Sequence, residues 1–261
     1  MDDTQDLMPI LKRLRMGGMM EDLSPALEEA VQEKWNYSQL LIHLFTREAD
    51  RREHKKYCFR LSRSKLDPQK TFETFDFTFN RNVSETVMRE LARCDFLEKH
   101  QNVFLVGPSG VGKTHLANAI GQEACRKGYP VMMDRTSELM QWLHAGTGDG
   151  TFMKRMEAVV EVPLLVMDDF GLIPMTPAQQ VSMYEIICGR YEKASTIITS
   201  NRDFNEWISI FENGLIGSAA MDRLVHRATK LTIEGPSYRC FNFKNTSKEV
   251  QEKVAVSAEG G

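Results

Sequence analysis

The stretch from Asn102 to Thr114, Asn-Val-Phe-Leu-Val-Gly-Pro-Ser-Gly-Val-Gly-Lys-Thr, leaves this chain few folds to choose from. Val103 to Val106 are apolar without interruption, as in a strand covered on both faces. A glycine-rich turn comes next, and from about Gly112 a helical pattern carries Leu116, Ala117 and Ile120. Gly107, Gly112, Lys113 and Thr114 satisfy Gly-x-x-x-x-Gly-Lys-Ser/Thr, with Pro108, Ser109, Gly110 and Val111 between them. The glycines allow a curl tight enough to turn successive backbone N–H groups inward, and the start of a helix adds its positive end. Such a cradle seats a polyphosphate. Lys113 is expected to reach the β- and γ-phosphates, and Thr114 to offer its hydroxyl to Mg²⁺.

Beyond the motif the chain alternates between strand and helix. We read helix 113–127 ending at Gly128, strand 130–134, helix 136–144, a glycine-rich turn at 146–150, helix 151–161 and strand 163–168. Helix 176–191 opens on Thr176-Pro177, and strand 195–200, helices 203–212 and 217–227 and strand 229–234 complete the pattern. Right-handed crossovers between such strands predict an α/β fold with a doubly wound parallel sheet.

Residues 1–66 read as an all-helical domain. Leu7, Ile10, Leu11 and Leu14 form a first apolar stripe, which Gly17-Gly18 is expected to end. Ser24-Pro25 reads as N-cap and first helical residue of a second helix, and Ser38 as the cap of a long third one that buries Leu40, Leu41, Leu44 and Phe45. Residues 67–98 form a linker whose Phe72, Phe75, Phe77 and Phe79 suit an irregular extended segment packed on the next domain. The linker ends in a helix capped by Ser84 and carrying Val87, Met88, Leu91 and Leu97. The core domain spans 99–243, and the polar stretch 244–261 is expected to fray.

With 42% hydrophobic and 26% charged residues, 261 positions suffice for one sizeable core and a smaller appendage of soluble type. The apolar run Val162 to Met167 is too short to span a bilayer and the acidic start is unlike a signal peptide, so the expected location is cytoplasmic, with no membrane partner. Five scattered cysteines, Cys58, Cys94, Cys125, Cys188 and Cys240, read as buried or half-buried thiols. A net charge of −3 argues against a protein that coats nucleic acid. Yet Arg47, Arg51, Arg52, Lys55, Lys56, Arg60, Arg63 and Lys65 crowd one stretch, against Glu48, Asp50 and Glu53 only. Either this is a solvated helical face with i,i+4 pairing, or Arg47, Arg51, Arg52, Lys55, Lys56 and Arg60 contact DNA phosphates.

Pro163-Leu-Leu-Val-Met-Asp168-Asp169 is a buried strand ending in two carboxylates. Beside a phosphate cradle, Asp168 is assigned to Mg²⁺ and Asp169 to the water that attacks the γ-phosphate. Asn201 ends the strand Thr196-Ile-Ile-Thr-Ser and points either at that water or into an ordinary turn. Arg223 and Arg227 stand four apart on an expected helix, placing either on one face as a surface residue or as an arginine lent to a neighbouring subunit. Asp168-Asp-Phe-Gly171 also fits the Asp-x-x-Gly of GTPases. Asn201-Arg202-Asp203, however, is one residue too short for Asn-Lys-x-Asp, so ATP is the favoured nucleotide.

Together, Gly107-Pro-Ser-Gly-Val-Gly-Lys-Thr-His-Leu-Ala, Leu164-Leu-Val-Met-Asp-Asp-Phe-Gly, Ser195-Thr-Ile-Ile-Thr-Ser-Asn201 and Met221-Asp-Arg-Leu-Val-His-Arg resemble the AAA+ ATPases of the DnaC helicase-loader group. The Phe72–Phe79 segment and the arginine-rich helix before it are similar to the IstB transposition helpers. The resemblance implies an ATPase in which Asn201 is the sensor, Arg223 the arginine finger acting in trans in a homo-oligomer, and Arg239 the arginine kept after the last core strand. It further implies duplex DNA and a transposase as partners, with a replicative helicase as the alternative. A small-molecule kinase would need a basic lid, and none is visible. Two departures stand out: Asp169 takes the place of the usual glutamate, and too little chain follows Ile233 for a helical lid. Without one, Phe75 and Phe77 are expected to cover the base.

Overall fold

The computed structural model describes residues 4–241, so the stretch 244–261 lies outside the described residues. Five parallel strands, β1 (Val103–Val106), β2 (Val131–Arg135), β3 (Leu164–Asp168), β4 (Ser195–Ser200) and β5 (Thr229–Thr232), form a sheet in the order β2-β3-β4-β1-β5. Every residue of β1, β3 and β4 is buried, which is why β1 and β3 as far as Met167 run apolar without alternation, while β4 buries Ile197 and Ile198 between hydroxyl residues that find hydrogen-bond partners. The expected doubly wound α/β sheet is therefore present. From β1 the chain crosses two strands to reach β2, then returns through β3 and β4. That reversal opens a crevice at the carboxyl ends of β1, β3 and β4, where such folds bind ligands.

The helices are α1 (Thr4–Arg13), α2 (Gly17–Gln32), α3 (Tyr37–Ser64), α4 (Glu85–Ala92), α5 (Asp95–Glu98), α6 (Lys113–Arg126), α7 (Thr136–Asp149), α8 (Phe152–Glu161), α9 (Pro177–Arg190) and α10 (Gly214–Val225), with a 3₁₀ helix at Phe204–Ile210. A core of Phe104, Leu139, Leu143, Val159, Met167, Phe170, Met183, Ile198 and Trp207 joins sheet and helices. As expected, Ser84 caps α4 and Thr176 forms a capping box on α9. Among the described residues no helix is long and apolar enough to cross a membrane.

Two compact units divide between Phe59 and Arg60, about two turns ahead of the expected boundary at residue 66. The first unit departs most from its sequence reading. Gly17 opens α2 instead of closing α1, and Ser24-Pro25 lie inside that helix. The cause is a side chain distant in sequence. The Glu48 carboxylate, only 5% exposed, accepts from the N–H of Gly18 at 2.6 Å and of Met19 at 3.2 Å, so α3 supplies the cap. A Cβ at Gly18 would fall 2.9 Å from that carboxylate, and one at Gly17 2.4 Å from the Arg51 guanidinium. Burial raises the Glu48 carboxyl, but hydrogen bonds from Arg52, Met19 and Gly18 outweigh it and hold the group below the ordinary glutamate value. Asn36, not Ser38, caps α3, exchanging hydrogen bonds with Gln39 at 2.8 and 2.9 Å. Leu11, Met19, Leu23, Ala26 and Leu44 are this unit's buried core. Leu41 and Phe45, expected to be buried, are exposed, and of the first apolar stripe only Leu11 is buried while Leu7, Ile10 and Leu14 are exposed.

In the second unit, α7 continues through Gly146 and Gly148 to Asp149. Gly146 serves close packing, since a Cβ there would meet the Phe152 nitrogen at 2.8 Å. The 71–79 segment is made of tight turns, not extended chain: the Thr74 hydroxyl donates to the Gln69 carbonyl at 2.7 Å, and the Asp76 carboxylate accepts from the N–H of Thr78 and Phe79. Because α10 ends at Val225 and Arg227 adopts φ +57°, Arg223 and Arg227 do not share a helical face. Cys94 and Cys125 are buried, their thiols pushed up by burial to about 12 and about 11, whereas Cys58 and Cys240 are exposed.

Candidate functional site

At the crevice, three strand ends deliver three kinds of group: β1 the glycine turn, β3 the two acids, β4 the asparagine. Gly110 and Gly112 adopt φ of +84° and +100°, and Cβ atoms there would strike the Ser237 hydroxyl at 2.2 Å and the Phe75 ring at 2.5 Å. Both the curl and its packing thus require glycine.

Lys113, at the first position of α6, is 5% exposed. Its Nζ donates to the carbonyls of Gly107 and Pro108, each at 2.7 Å, and to Asn201 Oδ1 at 2.6 Å. All three acceptors are neutral oxygens around a buried cation, an arrangement that suits replacement by phosphate oxygens. Burial lowers the Lys113 ammonium, opposed by Asp169 and Asp168. The Thr114 hydroxyl donates to Asp168 at 2.8 and 3.1 Å. A hydroxyl and a carboxylate in contact are the hard oxygen donors that Mg²⁺ takes, so these two residues fit the ion expected there.

Asp169 stands just past β3 at φ +54°. Its carboxyl is raised, first by burial and then by Asp168, against the pull of Arg135, Lys113 and Arg239. The cleft has a cavity volume of about 530 Å³, within the range that holds small-molecule ligands. Of the expected residues, Ser109 to Thr114, Asp168, Asp169, Asn201, Phe75 and Arg239 all line it. Phe75 meets His115 and Phe77 edge to face, with ring centroids 5.3 and 4.8 Å away.

Besides the lining residues Lys70, Thr74, Asp76, Phe79 and Leu172, sequence reasoning missed Thr199, His115, Arg135 and Tyr238 here. Thr199, fully buried, donates its hydroxyl to Asp168. It lies two residues before Asn201 in a strand and hence on the same face, a signal present in the sequence. His115 sits directly after the motif, while Arg135 and Tyr238 reach the cleft only through tertiary folding.

Arg223 is absent from this cleft. It donates to the Ala219 carbonyl at 2.8 Å and lies 5.8 Å from the centre of the Tyr184 ring. The basic residues of α3 are less free than their run suggests, because α2 brings Glu21 and Asp22 to them and α3 itself supplies Glu48 and Glu53. Arg47 pairs with Asp22 at 2.9 Å, Arg51 with Glu21 at 2.7 Å, Arg52 with Glu48 at 2.7 Å and Lys56 with Glu53 at 2.7 Å. Lys55 is without such a pairing among the described residues. Arg60 belongs to the second unit, where its Nε donates to the Cys125 carbonyl at 2.7 Å, satisfying the last turn of α6.

The pattern of the family described as IstB-like ATP binding protein matches residues 9–247. Over 234 residues the chain is 35% identical to a Pseudomonas aeruginosa protein named as the putative ATP-binding protein of insertion sequence IS21, covering 90% of this chain and 88% of that one. Among solved structures, the DnaC helicase loader is 28% identical with a TM-score of 0.50, covering 57% of this chain and 87% of that one. AMPPCP-bound DnaA from Aquifex aeolicus is 25% identical with a TM-score of 0.53, covering 71% and 57%.

Proposed function

This chain belongs to the IstB-like ATP binding protein family, and from that premise we propose that ATP is the switch by which it assembles on duplex DNA and presents that DNA to a transposase. One observation carries the reading. Lys113, Thr114, Asp168 and Asn201 converge within hydrogen-bond reach in one cleft, while Arg223 stands outside it and so is available to a neighbouring subunit.

Lys113 exchanges its carbonyl partners for β- and γ-phosphate oxygens, and Asn201, released from it, faces the attacking water. Thr114 and Asp168 hold Mg²⁺, which supplies charge neutralisation on the phosphates. Asp169 takes the proton of the water, and a carboxyl raised by burial and by Asp168 is the stronger base. Its side chain is a methylene shorter than glutamate, which favours slow turnover and a long-lived ATP state. Arg223 of one subunit stabilises the charge developing on the nucleotide of the next.

Phe75, packed on Gly112 and His115, covers the base. Phe75→Ala is expected to weaken ATP binding about tenfold, as loss of one stacking contact of about 1–3 kcal/mol does, with an unchanged melting temperature. Arg47, Arg51, Arg52, Lys55 and Lys56 contact DNA. The pairs of Arg47 and Lys56 are solvent-exposed and weak, so phosphates replace carboxylates there at little cost, whereas Arg52 reaches phosphate only with the guanidinium nitrogens that it does not give to the buried Glu48. Arg60 is set aside, its Nε being engaged by Cys125.

Particle mass, measured by mass photometry with ATP and duplex DNA, tests the reading. Large assemblies should form with both ligands, be lost in Lys113→Ala and Arg223→Ala, and dissolve as salt rises. A protein that stays monomeric under all conditions would falsify it. The likeness to the DnaC helicase loader favours a second reading, capture of a replicative helicase, which affinity capture from the native host separates from capture of a transposase.

A further inference from the structure

We propose that Thr199 is the positioning residue for both acids of the cleft, holding Asp168 and turning the backbone at Asp169 without touching the nucleotide. The inference rests on the ATPase reading and adds to it a residue to which the sequence motifs give no role.

β3 and β4 pair in register as far as Met167 and Ile198, and there the ladder stops. Asp168 closes β3, and Asp169 follows in the left-handed region, where a non-glycine residue persists only if its surroundings hold it. An N–H at the end of a broken ladder needs a new acceptor. Thr199 supplies it: its Oγ1 accepts from the Asp169 N–H at 3.1 Å. The same oxygen donates to Asp168 Oδ1, and the Thr199 carbonyl accepts from the Phe170 N–H at 2.9 Å. A backbone N–H can only donate, so the single hydroxyl proton is directed at the carboxylate. One buried hydroxyl therefore fixes the turn that aims Asp169 and the orientation of Asp168.

Thr136 donates to the Asp168 carbonyl at 3.0 Å. Among the described residues, the other side chain that donates to the Asp168 carboxylate is Thr114. In the ATPase reading, the Thr114 hydroxyl passes to the metal. Thr199 then remains the side-chain donor whose hold on that carboxylate does not depend on nucleotide. Ser200 extends the grip, donating to the Phe170 carbonyl at 2.8 Å while accepting from the Trp207 indole at 3.2 Å. Asn201 meets Lys113 one residue later, so three successive residues of β4 and its exit address the acid turn and the phosphate cradle.

Thr199→Val keeps the shape and removes the hydroxyl, whereas Thr199→Ser keeps the hydroxyl. Binding of a fluorescent ATP analogue is measured in EDTA and across a Mg²⁺ titration, alongside steady-state hydrolysis. The Val variant should bind the analogue in EDTA like wild type, require about tenfold more Mg²⁺ for half-saturation, and lose about 100-fold in kcat, the scale on which outer partners of metal ligands act. The Ser variant should stay within about threefold of wild type in all three. Wild-type turnover or an unchanged Mg²⁺ requirement in the Val variant, or a Ser variant as impaired as it, overturns the proposal. Should the Val variant fail to fold, Thr199→Ala judged against Ser by the same readouts decides. Absence of hydrolysis in the wild type itself would instead remove the ATPase reading, and the Mg²⁺ dependence of binding would still report on Thr199.

Discussion

The two units handle charge in opposite ways. In residues 1–59, a buried carboxylate, Glu48, is satisfied entirely from within, by Gly18, Met19 and Arg52, and the result is architecture. In the cleft, Lys113 is buried against neutral oxygens, and two acids lie near it without bonding to it. A charge whose partners are complete stabilises a fold; one whose partners are provisional is held ready for a ligand. The difference predicts where a substitution will be felt.

The largest effect should fall on the provisional charge. Lys113→Ala is expected to reduce ATP turnover by about 10²–10³-fold, as loss of one charge-stabilising donor does. The apo protein should melt no lower than wild type, because a buried cation has been removed. A large drop in melting temperature would break the contrast, and paired calorimetry and hydrolysis assays measure both.

Next comes Glu48. Glu48→Ala should destabilise the N-terminal unit by about 2 kcal/mol, for a lost cap and orphaned N–H groups, while ATP binding is unchanged; chemical denaturation followed by circular dichroism reads the first. Because the folded-state value of Glu48 is depressed, its contribution is complete above the ordinary glutamate pKa of about 4.3 and is lost as pH falls through the lower folded value. The wild type should therefore lose stability in that acid range more steeply than Glu48→Gln. Smallest of all, Arg47→Ala removes an exposed pair with Asp22 and should leave the melting temperature close to that of wild type. Its effect on DNA affinity, read by fluorescence anisotropy at two salt concentrations, should be the larger one.

The same contrast explains which features are legible in the sequence. Val103 to Thr114, Asp168 and Asn201 can be read there because phosphate chemistry ties residue type to a strand end, and a strand end is a local pattern. Ser24-Pro25 resembles a helix start by every local criterion and is not one, since a glutamate 30 residues downstream of Gly18 decides where α2 begins. Gly146 resembles a turn residue because the packing of Phe152 against it leaves no trace in its neighbours. The basic run on α3 reads as opposed only by the acids of its own stretch, because Glu21 and Asp22 arrive from another helix. Arg135 and Tyr238 enter the cleft from segments with no motif of their own. Thr199 is different: alternation along the strand puts it on the face of Asn201, and its hydroxyl is hidden only by the better-known side chain beside it.

Trp207 sits in a dry cage of Phe104, Phe170 and Phe204, with its indole N–H on Ser200. Emission from an indole responds to such a neighbourhood, so the protein carries an optical gauge hydrogen-bonded to the residue that precedes Asn201. Ligand-driven shifts at that strand tip would register as colour and intensity, with no dye attached and no chemistry required.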